Sequence, residues 1–145
     1  MPKDVNVKFG VLQSNPYRSV STISTHDMPT LRQWWDEDWE QTQEYYNAVL
    51  WKQGPAPHPL PGDVARQVVV NHLNSPSMLC LLSLQDWLSI DERIRLADPD
   101  AERINIPANP RHYWRYRMHM TISQLQADTM FNSTITDLLT NSGRK

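Results

Sequence analysis

The feature that most limits what this chain can fold into is its small number of strands. Two segments have the character of a β-strand, the β-branched run at residues 20–24 and the near-continuous apolar run at residues 77–84. A helical pattern at residues 30–52 separates them, and this order predicts an α/β protein with parallel pairing. Two parallel strands alone leave both edges and both faces uncovered. We therefore expect residues 1–145 to form a single partial domain of a larger fold.

Helical patterns cover much of the remaining sequence, so the isolated chain is predicted to be mainly helical. Asp63 is expected to cap a helix that runs to Leu73. Residues 121–124 match a capping box that opens a further helix, and a last helix is expected at residues 127–140, with Gly143 as its C-terminal cap. An irregular lead-in at residues 1–19 and a proline-rich loop at residues 53–62 complete the pattern. The run 77–84 is expected to be buried on both faces.

Composition argues against several classes of function. The net charge of -2 argues against binding to nucleic acid or to a membrane surface, and no stretch approaches the roughly 20 apolar residues of a membrane span. The single cysteine, Cys80, excludes a disulfide framework and fits a reducing compartment such as the cytoplasm. The start of the chain lacks the apolar core of a signal peptide. Histidines without ligand spacing predict no metal, and the lack of a glycine-rich phosphate loop fits our expectation of no cofactor.

His26 and Asp27 follow the first predicted strand, at the edge of the sheet where ligands bind in α/β proteins. A carboxylate there can accept hydrogen bonds from two adjacent sugar hydroxyls, and a neutral imidazole can donate another. The alternative is that Asp27 only satisfies backbone donors at the start of the next helix. The dipeptide alone favours this capping interpretation.

The segment at residues 102–117 is dense in aromatic and basic residues and has two open interpretations as a binding surface. Asn105 and Asn109 suit sugar hydroxyls, and the aromatic side chains that could stack on sugar rings are Tyr113, Trp114 and Tyr116. Interleaved arginines and aromatics are also found in RNA-binding proteins, although the acidic overall balance weighs against this. The structural alternative is a loop held by packed aromatics and by arginines paired with Asp98, Asp100 or Glu102.

Three segments together resemble the 4-α-glucanotransferases, the amylomaltase or disproportionating-enzyme family, glycoside hydrolase family 77. Residues 24–35, Ser-Thr-His-Asp-Met-Pro-Thr-Leu-Arg-Gln-Trp-Trp, look like the family's His-Asp segment. Residues 83–88, Ser-Leu-Gln-Asp-Trp-Leu, and residues 102–120 are similar to later blocks of the family, in the same order. The forms look most like the branch that contains the plant cytosolic disproportionating enzyme and bacterial relatives. Ala108 stands where the ordinary amylomaltase pattern has glycine.

The resemblance implies both a fold and an activity. The chain would be the C-terminal portion of a (β/α)8 barrel, about strands seven and eight plus helices. The activity would be transfer of glucosyl or 1,4-α-glucan segments to the 4-hydroxyl of an acceptor sugar by a retaining double displacement, with maltose, maltooligosaccharides or α-glucans as partners. Asp27 matches the carboxylate that stabilises the transition state. His26 and Asn105 are expected to bind substrate.

In the family, the nucleophile and the general acid/base follow strands four and five, which this chain does not match. Asp86 and Asp98 correspond to neither position, so the isolated chain is expected to be inactive. A quarter of a barrel is also expected to form a homodimer, to exchange elements between copies or to be marginally stable. The alternative function is a stand-alone carbohydrate-binding or interaction module, in which the sugar platforms would be Trp34, Trp35 or Trp114.

Overall fold

The computed structural model describes residues 8–144, and the part of the chain that it describes is mainly helical. The two strands are β1 at Val20–Ser21 and β2 at Leu79–Cys80. The helices are α1 at Leu31–Glu37, α2 at Trp39–Ala48, α3 at Gly62–Leu73, α4 at Leu84–Leu88, α5 at Ile122–Ala127 and α6 at Thr129–Asn141. Short 3₁₀ turns lie at Leu12–Ser14 and Pro99–Glu102. Part of the predicted lead-in, residues 1–7, lies outside the described residues. Within residues 8–144 no helix is both long and apolar enough to cross a bilayer.

The predicted parallel pairing of the two strands is confirmed. Val20 pairs with Leu79 and Ser21 with Cys80, in parallel register. Both strands are much shorter than the sequence runs that predicted them. The prediction that the second run is buried on both faces is wrong, because Leu79 is 46% exposed and Leu81 is 59% exposed. Among the described residues, β1 is the only strand that pairs with β2.

The single helix predicted at residues 30–52 is two helices, broken at Asp38. The backbone of Asp38 is extended, with φ −141° and ψ 100°, and its carboxylate accepts a hydrogen bond from the Gln41 N–H at 3.0 Å. Asp38 therefore ends α1 and caps α2. The apolar spacing from Trp35 to Trp39 continues across the break and conceals it.

Helix α3 begins one residue before the predicted cap. Its N-cap is Pro61, and Asp63 lies within the first turn instead of capping the helix. Glycine is required at position 62, because an added Cβ would lie 2.8 Å from the Ile90 carbonyl oxygen. The Gly62 N–H donates to Glu92 Oε1 at 2.7 Å, so this close approach ties the start of α3 to the segment after α4.

Two capping boxes begin helices in the second half of the chain, and only one of them was predicted. The Thr121 box at the start of α5 is confirmed. The other joins Ser83 and Asp86 at the start of α4, a five-residue helix that the apolar run at residues 77–84 did not reveal. Gly143 has a φ of +71° after α6 and its N–H donates to the Thr140 carbonyl, as expected for a C-terminal cap.

Helix α3 lies between the two clusters of the apolar core. One of its faces packs in a cluster around the fully buried Trp35, with Leu31, Leu50, Leu60, Val64, Ala65 and Val68. The other contributes Val69 and Leu73 to a smaller cluster with Leu138 of α6. Trp34 packs against the first cluster, edge to face with Tyr45. Because Trp35 is fully buried, the prediction that it could serve as a sugar platform is wrong.

Candidate active site

His26 and Asp27 are the central residues of a tight turn that follows β1. The turn is closed by the Met28 N–H, which donates to the Thr25 carbonyl at 3.0 Å. His26 Nε2 lies 3.3 Å from Asp27 Oδ2, and both side chains are about half exposed. The residue that caps α1 is Thr30, whose hydroxyl accepts from the Gln33 N–H. The capping interpretation of Asp27 is therefore wrong.

Asn105 reaches the same place from a distant part of the sequence. Its Nδ2 donates to Asp27 Oδ1 at 2.6 Å, although 78 residues separate the two. Arg103 Nε donates to the Asn105 carbonyl at 2.7 Å, and His112 Nε2 lies 2.9 Å from the Ile104 carbonyl. These contacts fix the backbone on both sides of Asn105. The structure thus brings together the three residues that the sequence singled out as site residues.

Trp114 joins this cluster through its ring. Its centroid lies 5.1 Å from that of His26, with a tilt of 44° between the rings, and the indole stays largely exposed. Asn109 instead accepts a hydrogen bond from the Arg111 N–H within its own turn. The Tyr113 ring lies beneath the Arg115 guanidinium, 5.6 Å from its centroid. Of the candidates at residues 102–117, Asn105 and Trp114 contact the His26–Asp27 turn.

A buried ion pair holds the Asn105 segment against α1. Arg32 Nη1 donates to Glu102 Oε1 at 2.5 Å and to the Leu96 carbonyl at 2.7 Å. Thr30 Oγ1 donates to Glu102 Oε2 at 3.3 Å. Burial raises the pKa of Glu102 above its ordinary value, and the Arg32 guanidinium opposes that shift. Because Glu102 lies three residues before Asn105, this pair positions the amide relative to the turn that carries Asp27.

The sequence did not identify this ion pair. It predicted that arginines of residues 102–117 pair with Asp98, Asp100 or Glu102, and for Glu102 this is wrong, because its partner is Arg32. Arg103 and Arg117 donate to backbone carbonyls instead. The sequence did contain a hint of this pair. Arg32 falls on the buried face of α1, and the acidic Glu102 lies three residues before Asn105.

Asp86 and Asp98, the other carboxylates considered in the sequence, serve the backbone. Asp86 is fully buried, and burial raises the pKa of its carboxyl above the ordinary aspartate value. It accepts from the Ser83 N–H at 3.1 Å and from Ser24 Oγ at 3.3 Å, which ties the segment before the His26–Asp27 turn to α4. Asp98 accepts from the Asp100 N–H at 2.9 Å and so caps the 3₁₀ turn.

The Asp27 cluster lies at the protein surface, where the His26 and Asp27 side chains are about half exposed. A groove of about 630 Å³ runs along the neighbouring segment, and its lining includes Arg103, Arg111, Arg115 and Arg117 but neither His26 nor Asp27. Among residues 8–144 no group of three or more His, Cys, Asp or Glu side chains is placed to hold a metal ion. The chemistry on offer is a carboxylate and an amide for hydrogen bonds, with an imidazole and an exposed indole beside them.

A carboxylate, an amide and an exposed tryptophan converge at the C-terminal end of a parallel strand, which is the edge where α/β proteins as a class bind their ligands. The family profile of the 4-alpha-glucanotransferases, glycoside hydrolase family 77, matches residues 1–123. The chain belongs to this family, as its sequence blocks predicted.

Individual relatives agree with the family match. The 4-alpha-glucanotransferase DPE2 of Oryza sativa subsp. japonica is 37% identical over 144 residues, which are 99% of this chain and 15% of the rice protein. A 4-alpha-glucanotransferase of Chlamydia muridarum is 28% identical over 127 residues, which are 87% of this chain and 23% of the relative.

A solved structure shows the fold. The amylomaltase from Streptococcus agalactiae in complex with acarbose matches with a TM-score of 0.68 at 16% identity, over 97% of this chain and 25% of that one. This part of the chain therefore folds like a part of an amylomaltase. The chain spans between 15% and 25% of the length of these relatives.

Proposed function

We propose that this chain is the C-terminal part of a 4-α-glucanotransferase, a single partial domain of its catalytic (β/α)8 barrel. The enzyme would transfer glucosyl or 1,4-α-glucan segments to the 4-hydroxyl of an acceptor sugar by a retaining double displacement. In this proposal β1 and β2 belong to about strands seven and eight. Their parallel register and the exposed apolar side chains of Leu79 and Leu81 support an assignment to a larger sheet.

The observation that carries the proposal is the convergence of Asp27, Asn105 and His26. A retaining glycoside transfer passes through an oxocarbenium-like transition state in which the sugar ring flattens. A carboxylate that grips ring hydroxyls more tightly in that geometry than in the ground state accelerates the reaction. The Asn105 amide donates to Asp27 Oδ1 at 2.6 Å, and the other carboxylate oxygen, Oδ2, lies on the side of His26. Asp27 would therefore present an oriented carboxylate to the sugar.

His26 and Trp114 would complete the contact with substrate. An imidazole beside the carboxylate can donate to a hydroxyl of the same sugar, and an exposed indole can pack against an apolar ring face. The amylomaltase neighbour is in complex with acarbose. We extend this to maltose, maltooligosaccharides or α-glucans as the ligands of the whole enzyme that carries this segment.

Asp27 would neither attack the anomeric carbon nor transfer a proton. The double displacement needs a nucleophile and a general acid/base about 5–5.5 Å apart on either side of the scissile bond. Asp86 and Asp98 are engaged with backbone donors and match neither group. We therefore expect that the isolated chain, incubated with maltose or maltotriose, forms no glucan longer than its substrate. Clear disproportionation by the isolated chain would contradict this.

A chimeric enzyme tests the proposal directly. Residues 1–145 would replace the matching segment of the rice protein, to which they are 37% identical. The chimera is expected to transfer glucosyl units from maltose to an α-glucan acceptor, whereas the rice protein without the segment should not. A chimera that folds cooperatively yet shows no transfer would count against the assignment.

A further inference from the structure

Trp39 presents an exposed indole that the proposed site does not use. It is the first residue of α2 and is 64% exposed. Its ring is stacked on that of His58, with centroids 4.3 Å apart and 12° between the planes. His58 therefore covers one face of the indole, and the opposite face is open to solvent.

The ring behind Trp39 is itself held in place. His58 is largely buried, and its Nδ1 lies 2.6 Å from Asp36 Oδ1 at the end of α1. The Trp35 ring, which is fully buried, lies on another side of the imidazole at 6.2 Å between centroids. The indole of Trp39 thus rests on a fixed support and loses little conformational freedom when a ligand packs on it.

The proline-rich loop supplies this support. On one side of His58, the Trp35 Nε1–H donates to the Pro57 carbonyl at 2.9 Å. Further back, the Ala56 N–H donates to Gln43 Oε1 at 2.7 Å, and Gln43 Nε2 donates to the Gly54 carbonyl at 2.9 Å. These contacts hold the loop against α1 and α2 and so fix the position of His58 beneath Trp39.

The surroundings of Trp39 favour a neutral sugar over a charged ligand. A flat indole packs against the apolar face of a pyranose ring, and carboxylates beside such a ring can accept hydrogen bonds from its hydroxyls. The acidic residues around it in sequence are Asp36, Glu37, Asp38 and Glu40. Such a concentration of negative charge repels a polyanion such as RNA, whereas uncharged hydroxyls are unaffected.

We propose that Trp39, with His58 and Asp36, forms an additional contact site for neutral α-glucan chains. We call these three residues the Trp39 face. The choice of an α-glucan rests on the proposed function, and the exposed, supported indole is the geometric feature that suits a pyranose ring. Such a site holds a long glucan on the protein and raises the local concentration of chain ends.

Affinity electrophoresis of the 145-residue chain in native gels, with and without soluble amylopectin, tests this proposal. Amylopectin is expected to retard the wild-type chain. Trp39→Ala is expected to weaken retardation, with a dissociation constant higher by about tenfold or more. Trp39→Phe keeps a flat ring and should fall between the two. His58→Ala should also weaken binding, because it removes the support.

The matched control is Trp51→Ala. Trp51 is 85% exposed after the other end of α2 and should not alter retardation. Asp63→Asn, at an exposed position on α3, should also leave it unchanged. The transfer rate of the chimera tests the proposed function separately, so the two ideas can fail independently. The inference is overturned if the wild-type chain is not retarded by amylopectin, if Trp39→Ala and Trp39→Phe migrate as the wild type does, or if heparin retards the chain in place of amylopectin.

Discussion

Asn105 Nδ2 lies 2.6 Å from Asp27 Oδ1 and donates a hydrogen bond to it across 78 residues of sequence. Asp27 belongs to the turn after β1, and Asn105 follows the 3₁₀ turn Pro99–Glu102. The two segments do not belong to the same helix, and no strand pairing links them. The hydrogen bond therefore depends on how α1, the 3₁₀ turn and the loop after it are held together.

Removing the Asn105 amide should lower activity without unfolding the protein. In the chimera, Asn105→Ala is expected to reduce kcat by about tenfold or more, because Asp27 loses the donor that orients it. Asn105→Asp should cost more, since it sets a second carboxylate against the first. Initial rates of maltotriose disproportionation measure the effect. Asn109→Ala is the control from the same segment, and a loss as large as that of Asn105→Ala would show that position 105 is not special.

The Arg32–Glu102 pair should dominate the stability of the site region. Removing one partner from a buried ion pair leaves a charge without compensation, so Glu102→Ala is expected to cost about 3–5 kcal/mol. Arg32→Met combined with Glu102→Leu should recover most of that loss, because no buried charge remains. Urea unfolding of the isolated chain gives both values. A double variant as unstable as the single one would mean that the pair contributes more than charge compensation.

His72 should make the stability of the chain depend on pH below neutrality. It is buried on α3 with Nδ1 2.8 Å from the Val68 carbonyl, and burial lowers its pKa. In the unfolded chain the imidazole binds a proton below a pH of about 6.5, which the folded state resists. The contribution of His72 to the free energy of unfolding should therefore be constant above that pH and fall below it, by at most about 1.4 kcal/mol per pH unit.

Urea unfolding at pH 7.5, 6.5 and 5.5 measures this dependence. His72→Gln should flatten the curve, whereas His119→Gln, at an exposed position, should not. If the wild type and His72→Gln show the same change in stability between pH 7.5 and 5.5, His72 is not held neutral in the folded chain.

The exposed strands predict that the isolated chain associates with itself. Val20, Leu79 and Leu81 present apolar side chains to solvent, and β1 and β2 have only each other as partners within residues 8–144. We expect a homodimer, an exchange of elements or marginal stability, to be resolved by sedimentation velocity and thermal unfolding. Val20→Lys with Leu81→Lys should shift the chain toward monomer. A wild-type monomer with one sharp unfolding transition would contradict this expectation.

The fold was predictable where a local pattern decides it. The box at Thr121 depends on neighbours in sequence, and the parallel pairing follows from the strand–helix–strand order; both predictions were correct. The break at Asp38 was not predictable, because the apolar spacing continues through it while one carboxylate prefers to cap α2. The burial of residues 77–84 failed for another reason. A fully apolar run is typical of a strand covered on both faces, and the described residues hold a sheet of only two short strands.

The candidate site was predictable as far as its residues, but its geometry was not. The similarity of residues 24–35 and 102–120 to one family indicated His26, Asp27 and Asn105. That Asn105 donates to Asp27, and that Trp114 lies against His26, depends on long-range contacts such as the buried Arg32–Glu102 pair, whose members are 70 residues apart. The stack of Trp39 on His58 depends in the same way on the path of the proline-rich loop.

The most direct measurement is the transfer rate of the chimera with Asp27→Asn. If Asp27 is the carboxylate that stabilises the transition state, kcat should fall by about 10²-fold to 10³-fold or more while the enzyme stays folded. Asp63→Asn, at an exposed position on α3, should leave the rate unchanged. A folded Asp27→Asn chimera that transfers glucosyl units at the wild-type rate would contradict the central claim.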